Sequence, residues 1–314
     1  MIKKYLYDLI LKRYQRKKIY MIGLSHVLSM RNNYSKIRLL KDVDYKIFSQ
    51  NGEDGILDYL ISSLKLDSPK FLEIGVGDFT ECNTRFIFER CAPKGTIIDC
   101  MNNLEENVKK NLDLWKGDLK IINEKINTDN FYDLVLNSKC LVDLDIFSID
   151  IDGIDYWIIN ELPKNFSKIA VLEYNPTFGF DLEITVPNIS NFDRTKYHYS
   201  NLCFGMSFRA AVNLMDKKGF YFVGSNFLKN NAFFVSKRYK KKVYFKNLTI
   251  DNTRSNIESN LRESRNRKYK LNYLSDKNKL KEILDCKIVN LRNKKKDIIK
   301  IKNLISNGKM AKNL

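Results

Sequence analysis

Residues 69–99, PKFLEIGVGDFTECNTRFIFERCAPKGTIID, decide the fold of this chain. The mostly apolar run 71–74 leads into a glycine-rich turn, and a second run, 95–98, ends on Asp99. Residues 83–90, between the two runs, can form a helix. The stretch therefore predicts a strand, a glycine-rich turn, a helix and a second strand that ends on an acid.

This turn suits a cofactor that contains adenosine. Gly75 and Gly77 leave room for ligand atoms that a Cβ would block. The start of the following helix offers unpaired backbone N–H groups. Asp99 is expected where two hydrogen bonds can hold the hydroxyls of a ribose.

Two classes of cofactor compete for the turn. A dinucleotide site requires G-x-G-x-x-G, and residues 78–80 place no glycine at the third position. Instead Glu73 precedes Gly75 by two residues, and this E-x-G-x-G pattern resembles the first motif of class I S-adenosylmethionine (SAM) methyltransferases. SAM carries an ammonium and a sulfonium, so nearby acids favour it. A strand, turn and helix without any ligand is the alternative.

The net charge of +18 is unevenly distributed along the 314 residues. Residues 237–314 contain 24 Lys and Arg against 7 Asp and Glu, whereas residues 1–236 contain 31 against 30. The body of the protein is therefore nearly neutral and has clustered acids. We expect no nucleic-acid partner, because phosphate binding requires a basic groove.

The cysteines and the hydropathy predict a cytoplasmic protein. The six cysteines contain no C-x-x-C pair, which favours reduced thiols over a disulfide framework or a zinc site. No run of eighteen apolar residues and no signal peptide is found. The basic ends of the chain could also allow a peripheral contact with the inner membrane.

Strands and helices alternate in the rest of the body, which predicts an α/β fold with a mostly parallel sheet. The predicted strands after the first two are 119–123, 144–149, 169–172, 219–223 and 231–235. The last two are expected to form an antiparallel edge hairpin. The predicted organisation is a helical N-terminal extension, a cofactor-binding domain and a basic, mainly helical C-terminal extension: 1–44, 45–236 and 237–314.

Further cofactor contacts are predicted on both sides of the central stretch. Gln50 and Glu53 lie in a polar segment just before the first strand, near the expected methionine end of SAM. Helix capping explains part of this segment as well. Glu124 follows the third strand, where class I methyltransferases often contact the adenine.

Acids at two neighbouring strand ends could bind a divalent ion. Hard oxygen ligands of this kind suit Mg²⁺ or Mn²⁺. The predicted ligands are Asp150 or Asp152 with Glu173 and Asn175, and the ion would lower the pKa of an acceptor hydroxyl. In the alternative, Asp150 binds the SAM ammonium, Asp155 caps a helix and no metal is present.

His198 is the single histidine of residues 45–236. It lies within 176–204, a segment long enough to be a lid or a substrate loop. His198 could act as a general base. Asp150 and Asp152 are the other predicted catalytic residues. The alternative is a loop histidine with a structural hydrogen bond.

Both ends of the chain could contact partners. Residues 1–20 place apolar residues at helical spacing among Lys and Arg, so this helix lies on an anionic membrane or docks on the body. Helices predicted within 237–314 could pack against the body or form a homo-oligomer with a second copy.

Five segments together resemble the FkbM-like methyltransferases of bacterial surface-glycan loci, over residues 45–236: SQNGEDGI, FLEIGVGDFTECNT, FSIDIDGIDYWI, VLEYNPTFG and NAFFV. The D-x-E-G-x-E element of that family matches Asp150, Asp152, Gly153 and Asp155, with aspartate in place of both glutamates. The resemblance implies a Rossmann-like class I methyltransferase fold. It also implies O-methylation of a sugar or a related small acceptor in capsule or lipopolysaccharide biosynthesis.

Two rival functions remain open at this point. One is a divalent-metal enzyme on the same scaffold that acts on a phosphorylated sugar without SAM. The other is a non-catalytic adaptor at the membrane. Binding of SAM distinguishes both from the methyltransferase hypothesis.

Overall fold

The computed structural model describes residues 2–243, 263–293 and 295–306, and these contain two sheets. The strands are β1 Phe71–Ile74, β2 Lys94–Asp99, β3 Asp118–Asn123, β4 Ile146–Ile149, β5 Ile169–Glu173, β6 Ile184–Thr185, β7 Phe220–Ser225, β8 Asn231–Ser236, β9 Lys287–Asn290 and β10 Ile298–Lys300. The larger sheet has the order β3-β2-β1-β4-β5-β8-β7, and the smaller one has the order β10-β9-β6.

The predicted α/β fold is confirmed. Strands β1 to β5 of the larger sheet run parallel, and β8 pairs antiparallel with both β5 and β7. The last two strands thus form the predicted antiparallel hairpin at one edge of a Rossmann-like sheet.

Helices cover both faces of this sheet. They are α1 Ile2–Arg31, α2 Glu53–Leu64, α3 Arg85–Cys91, α4 Leu104–Asn111, α5 Asp155–Glu161, α6 Arg194–Tyr197, α7 Phe208–Lys217, α8 Asp276–Glu282 and α9 Ile301–Ser306. Successive side chains of a strand point to opposite faces of the sheet, and the parallel strands carry apolar side chains on both faces. Phe71 and Ile146 belong to the core on the α2 and α4 side, whereas Leu72 and Phe147 belong to the core with α5 and α7.

The C-terminal extension contains strands as well as helices. Ile288, which fits a helical spacing in the sequence, lies in β9, and β9 pairs antiparallel with β6 and β10. Pairing and burial outweigh local spacing here, because Ile283, Cys286 and Ile288 join the core of the body. Residues 244–262 and 307–314 of the extension lie outside the described residues. The domain boundaries and self-association stay predictions.

One other local prediction differs from the structure: the N-terminal helix continues to Arg31, well beyond residue 20. A π-helical turn lies at Tyr132–Leu136, between β3 and β4. In the described part of the chain, no helix combines the length and apolar character needed to cross a bilayer. All six cysteines are free, and the cytoplasmic location stays a prediction.

The strand order creates a crevice at the carboxyl end of β1. The chain builds β2 and β3 on one side of β1 and then returns to place β4 on the other side. Ligands of open α/β sheets bind at such a switch point. The backbone N–H of Asp150, just after β4, donates to the carbonyl of Ile74 over 3.0 Å, which fixes the two sides of the crevice.

Candidate active site

A cavity of about 490 Å³ occupies this crevice. Most of the residues predicted to bind the cofactor line it: Gln50, Glu73, Gly75, Gly77, Asp99, Glu124 and Asp150. They come from five separate segments of the chain, and the carboxyl ends of β1, β2, β3 and β4 bring most of them together. The cavity has the size of a cofactor site.

Gly75 allows the ends of β1 and β4 to approach each other. A Cβ on Gly75 would lie 1.7 Å from the carbonyl oxygen of Asp150, and its φ is +84°. Gly77 also has a positive φ, +55°, but its Cβ position is open. The first glycine is therefore required by packing, and the second by backbone conformation.

Asp99 is oriented by the backbone around it. Its Oδ2 accepts from the N–H of Gly77 over 2.7 Å, and its Oδ1 accepts from the N–H of Met101 over 2.8 Å. Each carboxylate oxygen keeps a further lone pair. The side chain is thus fixed at the cavity wall with acceptor capacity for two hydroxyl groups.

Glu73 forms part of the wall and also braces it. Its carboxylate accepts from the N–H groups of Asn83 and Thr84 over 2.9 Å each, and from the Thr84 hydroxyl over 2.5 Å. These bonds tie β1 to the start of α3. Burial raises the pKa of Glu73, and the same hydrogen bonds oppose the shift.

Glu53 does not line this cavity, contrary to its predicted contact with the cofactor. It is fully buried, and its Oε2 accepts from the N–H groups of Asn51 and Gly52 over 2.9 Å. Its Oε1 accepts from the side chains of Asn226 and Asn231. Glu53 therefore fixes the turn that presents Gln50.

Asn231 is a cavity residue that sequence reasoning did not single out. Its Nδ2 donates to Glu53 over 2.8 Å, while its buried Oδ1 has no hydrogen-bond partner among the described residues. It lies opposite Glu173 in the pairing of β5 with β8. The signal available in the sequence was the segment NAFFV, which is predicted to be a strand and begins with Asn231.

A second cavity of about 200 Å³ adjoins the first and shares Gln50, Asp150 and Asp152 with it. The remaining lining is strongly polar, with both signs of charge: Glu173, Asn175, Thr177, Arg194, Asn201, Asn230, Glu263 and Lys279, with Pro176 and Phe204. Such a lining suits a ligand rich in hydroxyl groups, because it supplies many donors and acceptors.

Three carboxylates meet where the two cavities join. Oxygens of Asp150, Asp152 and Glu173 all lie within 4.8 Å of one another. Burial raises the pKa of Asp150 and of Glu173 well above the usual range, and the neighbouring acids raise both further. At neutral pH such a pair holds a proton or requires a nearby cation.

Asp152 differs from the other two carboxylates because it has a cationic partner. Its Oδ1 forms an ion pair with the guanidinium of Arg194, which also contacts Glu263 over 3.2 Å. Burial raises the pKa of Asp152, and Arg194 opposes this shift. Asp155, in turn, accepts from the N–H groups of Ile151 and Gly153 over 3.0 Å each, so it shapes the loop before α5.

Asn175 and His198 have structural contacts that differ from their predicted roles. The Nδ2 of Asn175 donates to the carbonyls of Leu202 and Phe204, and its Oδ1 accepts from the N–H of Thr177. Asn175 thus braces the loop, and its Oδ1 keeps one lone pair at the wall of the second cavity. His198 lines neither cavity, and its Nδ1 lies 2.7 Å from Ser200 Oγ.

Comparison with known proteins gives structural likeness only. No protein-family model matches the chain, and no curated protein matches its sequence. Human N-acetylserotonin methyltransferase in complex with SAM is similar, with 11% identity and a TM-score of 0.33 over 56% of this chain and 49% of that one. The pyocyanin biosynthetic protein PhzM gives 13% identity and a TM-score of 0.31 over 56% and 52%.

An O-methyltransferase family 2 protein from Planctomyces limnophilus in complex with apigenin gives 11% identity and a TM-score of 0.31. That match covers 67% of this chain and 60% of the other. The matched part spans about half to three fifths of these three structures. Because every TM-score is below 0.5, the function proposed below rests on the geometry of the site.

Replacing Gly75 by alanine should destabilise the protein much more than the same change at Gly77. The Gly75 Cβ would collide with the backbone of Asp150, so we expect a loss of roughly 3–5 kcal/mol in the free energy of unfolding. Gly77→Ala meets no neighbour and should cost roughly 1–2 kcal/mol for its left-handed conformation. Urea denaturation measures both, and equal losses would contradict the packing role of Gly75.

Proposed function

We propose that this protein is a SAM-dependent O-methyltransferase that acts on a small hydroxylated acceptor, most simply a sugar. One observation carries the proposal: an acid-lined cavity at the switch point of the sheet opens into a second polar cavity through Asp150 and Asp152. The first cavity would hold SAM, and the second would hold the acceptor.

The charge of the first cavity favours SAM over a dinucleotide or a nucleotide sugar. Among the described residues that line it, seven are acids and one is a lysine: Glu73, Asp78, Glu81, Asp99, Glu124, Asp150 and Asp152 against Lys125. Lys125 already donates to the carbonyl of Phe192 over 3.1 Å. A pyrophosphate would be repelled here, whereas a sulfonium and an ammonium would be attracted.

Named residues fit the parts of SAM. Asp99 has acceptor capacity for the ribose hydroxyls. The unpartnered Oδ1 of Asn231 and the carboxylate of Asp150 fit the ammonium at the other end. Gly75 and Gly77 leave the centre of the cavity free of side chains. When bound, SAM supplies an electrophilic methyl group carried on a sulfonium.

The carboxylate pair formed by Asp150 and Glu173 is the proposed general base. The ionised member accepts the proton of the acceptor hydroxyl as the oxygen bonds to the methyl carbon, and the carbon–sulfur bond breaks. A raised pKa suits this task, because a base works best when its pKa approaches the working pH. Arg194 holds Asp152 beside the pair.

The acceptor class follows from the second cavity and from the family resemblance. Its amides, its threonine and its acids match a polyol better than an aromatic ring, since Phe204 supplies the single aromatic side chain of the described lining. The segments that resemble the FkbM-like family support a sugar of a surface glycan as the acceptor. We expect the sugar to bind with its ring hydroxyls facing Glu173.

Mg²⁺ or Mn²⁺ fits this site in part. Asp150, Asp152 and Glu173 could supply three oxygen ligands, and a bound ion would lower the pKa of an acceptor hydroxyl. Asn175 could add a fourth only through the remaining lone pair of its Oδ1, because its amide also braces the loop. Asp152 is already paired with Arg194. We therefore propose proton transfer to the carboxylate pair as the main route, without a required metal.

Asp99→Ala should weaken SAM binding by roughly 1.5–3 kcal/mol, because it removes two charge-assisted hydrogen bonds to the ribose. Isothermal titration calorimetry on the folded variant measures the change. Asp118→Ala, an exposed acid on β3, is the matched control and should bind SAM as the wild type does. Unchanged affinity in Asp99→Ala would remove Asp99 from the cofactor site.

Glu173→Gln should lower kcat by about 10²–10⁴-fold, because it removes the base. The Kd of SAM should stay unchanged, because Glu173 lines the second cavity but not the first. In the wild type, the rate should rise with pH through a pKa above the ordinary carboxylate value of about 4, since the base must be ionised. A wild-type rate that does not change between pH 5 and 8 would contradict a base with a raised pKa. A Glu173→Gln variant with full activity would contradict the assignment.

Chelation separates the proton-transfer route from the metal route. With EDTA present, the wild-type enzyme should keep its activity, and added Mg²⁺ or Mn²⁺ should change it by less than about twofold. Loss of activity in EDTA that Mg²⁺ or Mn²⁺ restores would assign the three carboxylates to a metal ion. Absence of any SAM binding would instead favour the metal enzyme without SAM or the non-catalytic adaptor.

A further inference from the structure

Helix α1 packs on the body through one of its faces. Val27 is fully buried and belongs to a small core with Phe48 and Phe86. Tyr20 packs against the same core, and a Cβ on Gly23 would lie 2.7 Å from Ile47. These residues recur at intervals of three and four, so they share one side of the helix.

The opposite side of α1 exposes many apolar side chains. We call it the outer stripe, and its members are between 39 and 69% exposed: Tyr7, Ile10, Leu11, Tyr14, Met21, Ile22 and Leu28. At 100° per residue, these seven positions lie within about a third of the helix circumference, a sector that also contains Lys18, Ser25 and Ser29. The stripe is therefore mainly apolar, and exposed apolar side chains grouped in this way indicate a binding surface.

The charges around the outer stripe are almost all positive. Residues Ile2–Arg31 contain eight Lys and Arg and one acid, Asp8. Lys17 and Lys18 are exposed, and Lys18 lies over the ring of Tyr14. A small cleft between α1 and the end of α4, toward the side of α1 that packs on the body, holds further basic residues. Six of the side chains that line it are basic and two are acidic: Arg13, Arg16, Lys17, Lys109, Lys110 and Lys116 against Glu89 and Asp113.

An exposed tryptophan lies beside this cleft. Trp115 is 81% exposed, and it sits between Leu114 and Lys116 in a short turn before β3. The turn is tied to α1 because Arg13 pairs with Asp113 over 3.1 Å and Lys116 lies over the ring of Tyr20. Tryptophan and tyrosine favour the boundary between water and lipid, since their rings are partly apolar and partly polar.

We propose that the outer stripe binds the surface of an anionic lipid bilayer, with its apolar side chains in the boundary region and the basic side chains at the headgroup phosphates. Basic amphipathic helices bind such surfaces through apolar area and attraction to anionic lipids together. A second copy of this chain fits poorly, because the stripe would meet another stripe with the same positive surroundings. Nucleic acid also fits poorly, because aliphatic side chains offer nothing to a phosphate backbone.

The inference does not depend on the proposed activity, and vesicle flotation of the full chain tests it. The protein should float with vesicles that contain phosphatidylglycerol and should stay in solution with pure phosphatidylcholine. Binding should weaken as salt is raised. The fluorescence of Trp115 should shift to shorter wavelength on binding, and Trp115→Phe, which leaves Trp157 as the second tryptophan, should remove that shift.

Variants of the outer stripe separate its apolar and charged contributions. Ile10→Ser with Ile22→Ser should weaken binding roughly 100-fold by removing buried apolar area. Lys17→Gln with Lys18→Gln should weaken it roughly 30-fold at low salt. All four residues are exposed, so the variants should fold. Val142→Ser and Lys217→Gln, exposed residues outside α1, are the controls and should bind as the wild type does.

Three results would overturn the proposal. The first is no flotation with phosphatidylglycerol vesicles at low salt. The second is flotation that neither pair of variants changes. The third is a dimer in analytical ultracentrifugation that Ile10→Ser with Ile22→Ser dissociates, which would assign the stripe to a second copy of the chain.

Discussion

The contact between Gly75 and the backbone of Asp150 is the constraint on which the site depends. Without a Cβ at Gly75, the ends of β1 and β4 approach closely enough to form one continuous crevice. The turn that follows brings the N–H of Gly77 to Asp99 at the end of β2. Three strands from separate parts of the chain thus form one cavity because a single side chain is missing.

Buried acids in this site fall into two groups that differ in how their charge is balanced. Glu53, Glu73 and Asp155 each accept hydrogen bonds from at least two backbone N–H groups, so they shape loops and helix starts. Asp150 and Glu173 instead have carboxylate oxygens within 4.8 Å of each other at the junction of the cavities. Their charge requires a proton or a cationic ligand, which is why we assign chemistry to them and bracing to the others.

The sequence alone predicted the features that depend on neighbouring residues. Strand β1, its glycine turn and the acid at the end of β2 are encoded within thirty-one consecutive residues, so their geometry was recognisable. Asn175 could not be distinguished from a metal ligand, because its side-chain N–H groups donate to carbonyls 27 and 29 residues further along the chain. The contact of His198 with Ser200 is local, but no pattern in the sequence distinguishes it from a catalytic role. The pairing of β9 with β6 joins segments about a hundred residues apart, and no local spacing encodes it.

Calorimetric titration of the purified protein with SAM, and separately with NAD, tests the central claim most directly. The claim is that an acid-lined cavity at the switch point of the sheet selects a cationic adenosine cofactor. The account predicts heat of binding with SAM and none with NAD, because the same acids repel a pyrophosphate. Binding of NAD without binding of SAM would contradict it.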